Sequence, residues 1–229
     1  MRFPLISYVA AASQALPFAG LVRYGRALPA ARRWVLVWAS ATLLSDAAGL
    51  WFASHGTRNV WTTYFTGPVT VAAALMALSI WQENTRVRRL FRLAIPALLV
   101  VLTMLVLLFE DLDSYSLVSG PFMSLVLVAG SLATLLGGVW QLEGSVLRQD
   151  WFWVGLGFAL NYGSRAGLDP IARILAGSSM STLVTISILG AWIDTIASLL
   201  IAGGMLCPLL PLRASSGRSS PASSPSPSS

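Results

Sequence analysis

Apolar residues along this chain form long runs that are separated by short polar stretches. Seven such runs can be delimited, at residues 5–22, 34–54, 60–81, 93–109, 117–139, 151–171 and 182–205. Each run is close to the ~20 residues that an α-helix needs to cross a bilayer. The pattern predicts an all-α integral membrane protein, a seven-transmembrane-helix bundle over residues 1–211. The Ser/Pro-rich segment 212–229 is predicted to be a disordered cytoplasmic tail.

The composition agrees with a membrane protein and leaves no room for a second domain. Of the 229 residues, 55% are hydrophobic and 10% are charged, whereas a soluble globular domain carries about 25% charged residues. The formal net charge is +6, but the basic residues cluster beside the ends of the apolar runs. We therefore interpret this charge as a determinant of membrane topology. The expected surroundings are the lipid bilayer, and no nucleic-acid partner is expected.

The distribution of arginine predicts the orientation of the chain. All 15 Lys/Arg positions are arginines, and many of them lie in the loops 23–33 and 86–92. The loop between the fourth and fifth runs is acidic instead, with Glu110, Asp111 and Asp113. Because short Lys/Arg-rich loops stay in the cytoplasm, we predict an outer N-terminus and an inner C-terminus. The expected location is the bacterial inner membrane or another plasma membrane.

The single cysteine and the single histidine exclude several kinds of site. Cys207 has no second cysteine for an intramolecular disulfide, and one histidine, His55, is too few for a metal cluster. The two residues lie near opposite ends of the predicted bundle, so they cannot form a Cys/His nucleophile pair. A Ser-His-Asp triad is implausible for the same reason. These features argue against an enzyme, and a membrane enzyme acting on lipid is the least supported class.

The first three and the last three runs resemble weak copies of one another. Asp46 lies 12 residues after Trp34, and Gly163 lies 12 residues after Trp151 in the second copy. An intervening fourth span would give both copies the same orientation, as in the parallel repeats of some transporters. This predicts a 3+1+3 parallel repeat. Two apolar stretches of similar composition also align by chance, and that alternative stays open.

The sixth run carries a small-residue face and a polar face. The small residues recur every four positions, at Gly155, Ala159, Gly163 and Gly167. A second register includes Asn161 and Arg165. Stripes of small residues let helix backbones approach closely in lipid, so we expect this span to lie deep in the bundle. The fourth run, 93–109, is apolar on all sides and is predicted to face lipid.

Three ionisable residues lie well inside the apolar runs: Asp46, Arg165 and Asp194. A charge at the centre of a membrane helix costs about 2.5–3.5 kcal/mol on insertion scales, so such residues are functional candidates by default. Their expected depths are similar enough for the arginine to bridge the two acids. If both acids are ionised, one negative charge is left over. A proton, a cation or the amine of a ligand would balance it.

Five further residues lie at compatible depths and are predicted to line the same cavity: Thr62, Thr66, Asn161, Tyr162 and Trp192. With the three charged residues they form the candidate site for a small-molecule ligand or a proton. No catalytic residue and no metal ligand is predicted. The alternative interpretation is a satisfied ion-pair network that only orders the bundle.

Two short motifs resemble those of microbial rhodopsins. Residues 65–68, Phe-Thr-Gly-Pro, are similar to the family's Phe-Thr-x-Pro, and residues 194–198, Asp-Thr-Ile-Ala-Ser, are similar to its Asp-x-x-Ala-Lys. The resemblance implies a rhodopsin-like seven-helix fold. The lysine that carries retinal in that family is Ser198 here, and the chain contains no lysine. Covalent retinal is therefore excluded and no cofactor is expected. The layout also resembles that of the SWEET sugar transporters.

The preferred hypothesis is a polytopic membrane protein with a polar midplane cavity that binds or transports a small solute or a proton. The alternative is a rhodopsin-like sensory or partner-binding module without retinal, which would act through its arginine-rich inner loops. The sequence pattern does not specify the oligomeric state.

Overall fold

The chain folds into long α-helices joined by short connections. The computed structural model describes residues 5–57, 61–110, 118–141, 145–174 and 180–208. Within these ranges the α-helices are α1 (Leu5–Ser13), α2 (Ala19–Tyr24), α3 (Ala30–Ser54), α4 (Trp61–Trp81), α5 (Thr85–Phe109), α6 (Ser119–Gln141), α7 (Asp150–Ile174) and α8 (Met180–Leu206). The predicted tail, 212–229, lies outside the described residues, as do Asp111 and Asp113 of the predicted outer loop.

Six helical segments of the described chain are long and apolar enough to cross a membrane. They are Leu5–Ala27, Ala30–Phe52, Trp61–Trp81, Thr85–Phe109, Ser119–Trp140 and Val184–Leu206. A helix satisfies its backbone hydrogen bonds internally, which is the condition for crossing hydrocarbon. The prediction of an all-α membrane protein is confirmed to the extent of these six helices.

The predicted seventh span, 151–171, corresponds to α7, which is not among the six apolar segments. The helix has 25 residues, so at 1.5 Å per residue it is about 37 Å long, enough to cross a bilayer. Its mean hydropathy is lower because its sequence includes Asp150, Arg165 and Asp169. The count of seven spans therefore stays a prediction.

The first apolar segment is interrupted near its middle. α1 ends at Ser13, a 3₁₀ turn follows at Leu16–Phe18, and α2 continues to Tyr24. Pro17 lies in this turn, and a proline has no backbone N–H to continue the helical hydrogen bonds. The span predicted at 5–22 is thus present as a broken segment that reaches Ala27.

The helix α5 begins eight residues before the predicted run 93–109. The Asn84 side chain accepts a hydrogen bond from the Arg86 N–H at 2.9 Å and caps the helix. The arginine-rich segment 86–92 is therefore helical instead of forming a loop. Only Phe91 and Leu102 of this helix are buried. It is the least buried of the six apolar segments, as predicted for a helix that faces lipid.

The helix α7 packs along both α6 and α8. Near the start of α7, Val154 faces Gly204 at the end of α8, and further along, Leu168 faces Gly190. Later positions on α7 therefore contact earlier positions on α8, so the two helices are antiparallel. This position between two helices agrees with the prediction that the sixth run lies deep in the bundle.

Close approach between α7 and α8 uses a different glycine register from the predicted one. A Cβ at Gly157 would lie 2.5 Å from Ile201 Cγ1 and 2.9 Å from the Ala197 carbonyl oxygen. A Cβ at Gly163 would meet only one atom, at 3.8 Å, and one at Gly167 would meet nothing within 4 Å. The predicted stripe faces α6 instead: a Cβ at Gly155 would lie 3.2 Å from Leu135 Cδ2, and the contact loosens at Gly163 and is lost at Gly167. At 3.6 residues per turn, positions four apart rotate by about 40° around the helix, so a four-residue stripe drifts off the interface.

Replacing Gly157 with alanine should lower the thermal unfolding midpoint of the protein in detergent. The added methyl group would collide with Ile201 and with the backbone of α8. Such overpacking typically costs about 1–3 kcal/mol, which exceeds the ~1 kcal/mol that alanine gains over glycine in a helix. Melting curves followed by circular dichroism measure the midpoint.

The matched control is Gly167→Ala, because it adds the same methyl group to the same helix where no atom lies within 4 Å. Its midpoint should stay unchanged or rise. Equal shifts for the two variants would contradict the close packing of α7 on α8 at Gly157.

Candidate functional site

Arg165 of α7 faces Asp194 of α8 across the helix pair. Its Nη2 atom lies 3.4 Å from Asp194 Oδ2, and Asn161 Nδ2 donates to Asp194 Oδ1 at 3.0 Å. Asn161 and Arg165 are four residues apart and therefore lie on the same face of α7. Each of them satisfies one oxygen of the carboxylate. The sequence-predicted residues Asn161, Arg165 and Asp194 are thus in direct contact.

Asp46 lies near this group without joining the ion pair. It interacts electrostatically with both Arg165 and Asp194, but the direct contact of Arg165 is with Asp194. The sequence predicted an arginine that bridges both acids, and in the described residues it pairs with one. Asp46 is close to Arg165 and Asp194 because its helix, α3, contacts α7. Trp38 Nε1 of α3 donates to the Tyr162 hydroxyl of α7 at 2.7 Å.

A cavity of about 240 Å³ adjoins the Arg165–Asp194 pair. Among the described residues its walls come from α7 and α8: Ser164, Arg165, Leu168, Asp169, Ile186, Ser187, Gly190 and Asp194. These residues belong to the C-terminal half of α7 and the N-terminal half of α8, so the cavity lies in the half of the bundle next to the α7–α8 connection. The side chains of Arg165 and Asp194 are 38% and 22% exposed, and a molecule in the cavity can therefore reach their charged groups.

None of the five further residues predicted to line the cavity is among those that line it, and neither is Asp46. Tyr162 is buried and accepts the hydrogen bond from Trp38. The Thr66 hydroxyl donates to the Thr62 carbonyl at 3.0 Å within α4. Trp192 is 54% exposed on α8 and faces away from the bundle interior. Depth along a span gives no angular position around it, so the role of Trp192 at the site stays a prediction.

The opposite end of the bundle contains a buried ion pair that the sequence pattern assigned to topology alone. Arg32, near the start of α3, donates from Nε to Asp150 Oδ2 at 2.9 Å, and its side chain is 2% exposed. Its Nη1 atom donates to the carbonyl oxygens of Met205 and Cys207 at 3.1 and 3.0 Å. One guanidinium group therefore joins the beginnings of α3 and α7 to the end of α8.

Helix ends make this position favourable for a buried cation. The last carbonyls of a helix have no partner within the helix and carry partial negative charge. Tyr24 contributes as well, because its hydroxyl donates to the Cys207 carbonyl at 2.8 Å. Its ring lies 5.3 Å from the Arg32 guanidinium carbon, within the range of a cation–π contact. The Asp150 carboxylate also accepts the Trp151 N–H at 2.8 Å, so both of its oxygens are used.

Cys207 follows α8 directly and is buried. Burial raises the pKa of its thiol above the ordinary value, and the nearby Asp150 carboxylate acts in the same direction. Because the thiolate is the reactive form of cysteine, we expect Cys207 to react slowly with thiol reagents.

No group of three or more His, Cys, Asp or Glu side chains suited to a metal ion occurs among the residues that the structure describes. The single histidine, His55, has its ring 4.5 Å from the ring of Trp51. Its Nδ1 atom lies 2.8 Å from the Trp51 carbonyl oxygen. These contacts hold the His55 ring against the last turn of α3. His55 is not among the residues that line the cavity.

Comparison of the chain with protein-family models, with curated proteins and with solved structures finds no match. The resemblances to microbial rhodopsins and to SWEET transporters stay predictions. The function is therefore inferred from the geometry of the cavity and of the two ion pairs.

Proposed function

We propose that α7 is a seventh transmembrane helix, with the N-terminus outside and the C-terminus inside. The antiparallel packing of α7 between the apolar helices α6 and α8 supports this. So does the pairing of Arg165 with Asp194, which offsets part of the cost of a charge inside the bundle. The arginine-rich loop 23–33 favours the end that holds Arg32 as the cytoplasmic one. With seven spans, we also propose that the first three and the last three form a 3+1+3 parallel repeat.

The proposed function is the binding or transport of a small solute or a proton in the cavity beside Arg165 and Asp194. The observation that carries this proposal is a partly exposed ion pair near the middle of α8, beside a cavity that the described residues line from one half of the α7–α8 pair. The opposite end is closed by the buried pair Arg32–Asp150. A site near the midplane with access from a single side is what one state of an alternating-access transporter requires.

Volume and charge restrict the ligand. A cavity of about 240 Å³ corresponds to roughly eight water molecules at about 30 Å³ each. It is smaller than the ~300–1,000 Å³ of sites that take drug-sized ligands. The two acids that line the cavity, Asp169 and Asp194, exceed the single charge of Arg165, and Asp46 adds a nearby carboxyl group. A proton or a small solute with a cationic amine therefore complements the site. A bulky anionic ligand fits neither the volume nor the charge.

Cysteine labelling tests the access route and the binding together. In a Cys207→Ser background, Ser187→Cys places a thiol in the cavity wall. A charged, membrane-impermeant thiol reagent added from outside should label it rapidly. A panel of small amines and amino acids, added before the reagent, should include members that slow the labelling by about tenfold, the effect of a ligand at roughly ten times its Kd. Flux of those members into proteoliposomes then separates transport from binding alone.

The control is Leu189→Cys in the same background, on a part of α8 that is 50% exposed and does not line the cavity. In the membrane this position faces lipid and should resist the charged reagent. Labelling of Ser187→Cys only after permeabilisation would overturn the orientation. A thiol at position 187 that is unreactive from both sides would overturn the aqueous cavity and the proposed function. Protection without flux would favour the sensory alternative.

A further inference from the structure

A second cavity, of about 500 Å³, lies where α2 meets α3 at the arginine-rich end of the bundle. It is lined by Leu21, Gly25, Arg26, Leu28, Arg33 and Leu36. The lining combines three leucines with two arginines and includes no acidic residue. Leu21 and Leu36 lie inside the apolar segments, whereas Arg26 and Arg33 lie at their ends. The cavity thus has an apolar wall on the hydrocarbon side and a cationic rim at the membrane surface.

The two arginines of this cavity keep donors for a ligand. Arg33 donates from Nε to the Leu28 carbonyl at 2.8 Å and from Nη2 to the Arg26 carbonyl at 3.3 Å. A guanidinium group has five N–H donors, so these two bonds orient the Arg33 side chain and leave three donors. Arg26 is exposed, and its guanidinium makes no hydrogen bond or ion pair within the described ranges.

No acidic side chain within the described ranges forms an ion pair with Arg26 or Arg33. Residues 23–33, from the end of α2 to the start of α3, include no aspartate or glutamate. Asp150, at the same end of the bundle, is paired with Arg32. Arg26 and Arg33 therefore present uncompensated positive charge beside an apolar groove.

We propose that this cavity binds an anionic phospholipid, with the lipid phosphate held by Arg26 and Arg33. Guanidinium groups bind phosphate oxygens through two parallel charge-assisted hydrogen bonds. Basic pockets between transmembrane helices on the cytoplasmic side are a recurrent kind of site for anionic lipid head groups. The leucine wall selects a lipid over a free phosphate ion, because Leu21 and Leu36 offer contact to an acyl chain that inorganic phosphate lacks.

The test uses the full-length protein in detergent, titrated with phosphatidylglycerol and followed by native mass spectrometry. The wild type should retain one lipid under conditions that remove phosphatidylcholine. The double variant Arg26→Gln, Arg33→Gln should bind phosphatidylglycerol at least tenfold more weakly. The single variant Arg26→Gln should lose at least threefold. It removes no contact within the described residues, so its fold is preserved and circular dichroism verifies this.

The matched control is Arg86→Gln, Arg89→Gln, which removes two exposed arginines from the first turns of α5. Its affinity for phosphatidylglycerol should change less than twofold. Equal losses in the two double variants would overturn the site in favour of general surface charge. Displacement of the lipid by inorganic phosphate at millimolar concentration would overturn the assignment to a lipid and indicate a free-anion site. Retention of phosphatidylcholine as strongly as phosphatidylglycerol would overturn it as well.

Discussion

Arg32→Met is expected to destabilise the protein more than the loss of any exposed arginine. The Arg32 side chain is 2% exposed and its partner Asp150 is 20% exposed. Removing the guanidinium leaves a mostly buried carboxylate without its cation and takes one donor from each of the Met205 and Cys207 carbonyls, although Cys207 keeps the Tyr24 hydroxyl. Breaking a buried ion pair by removing one partner costs about 3–5 kcal/mol. Unfolding in detergent with increasing denaturant should show a loss of this size.

The control for Arg32 is Arg86→Gln, which changes an exposed arginine and should stay within about 0.5 kcal/mol of the wild type. The double variant Arg32→Met, Asp150→Asn should lose less than the sum of its two single variants, because the second change removes the charge that the first one strands. If Arg32→Met is no more destabilising than Arg86→Gln, the buried pair does not form in the folded protein.

The helical membrane architecture was predictable because it depends on one averaged quantity. A run of about 20 apolar residues is required for a helix to cross hydrocarbon, so the number and rough position of such runs can be read from hydropathy. The six apolar helices follow these runs closely. The helix ends were less predictable. Asn84 extends α5 through an arginine-rich segment, and Pro17 interrupts the first segment, because both effects depend on local hydrogen bonds.

The buried pair Arg32–Asp150 could not be distinguished by sequence from an ordinary topology signal. Arg32 and Arg33 are adjacent in the same loop and contribute equally to its charge. The structure separates them, since Arg32 is buried against the end of α8 whereas Arg33 is exposed. The position of the start of α3 next to the start of α7 and the end of α8 decides which arginine faces inward. An aspartate at the first residue of α7 was the one local signal, and it equally suggests a helix cap.

The candidate site was predictable in depth but not in angle. A charge inside an apolar run has an unfavourable free energy of insertion, so Asp46, Arg165 and Asp194 could be selected from the sequence. Their similar depth suggested a cluster. The angular position around each helix decides which side chains meet. Trp192 lies two residues before Asp194 and is therefore turned about 200° away from it at 100° per residue. Hydropathy contains no information on that rotation, because α8 is apolar around most of its surface.

Neutralising the charge cluster should separate a functional site from a structural ion pair. The variant Arg165→Met removes the cation 3.4 Å from the Asp194 carboxylate and leaves Asn161 as its remaining side-chain donor. A hydrogen bond to a charged group is worth about 1.5–3 kcal/mol, and the partial exposure of Arg165 and Asp194 places the expected loss of stability at the lower end. The triple variant Arg165→Met, Asp46→Asn, Asp194→Asn carries no charge in the cluster and should recover most of that stability.

Activity then decides between the two interpretations of the cluster. If Arg165 and Asp194 hold a solute or a proton, the neutral triple variant should be stable yet lose the solute protection of Ser187→Cys, together with all flux. The single variant Asp194→Asn tests the same point, since an amide still accepts from Asn161 but cannot balance a cationic amine. Full protection in the triple variant would reduce the cluster to a structural role. If Arg165→Met keeps the wild-type unfolding midpoint, and solutes still protect Ser187→Cys from labelling in that variant, the 3.4 Å contact contributes to neither stability nor binding.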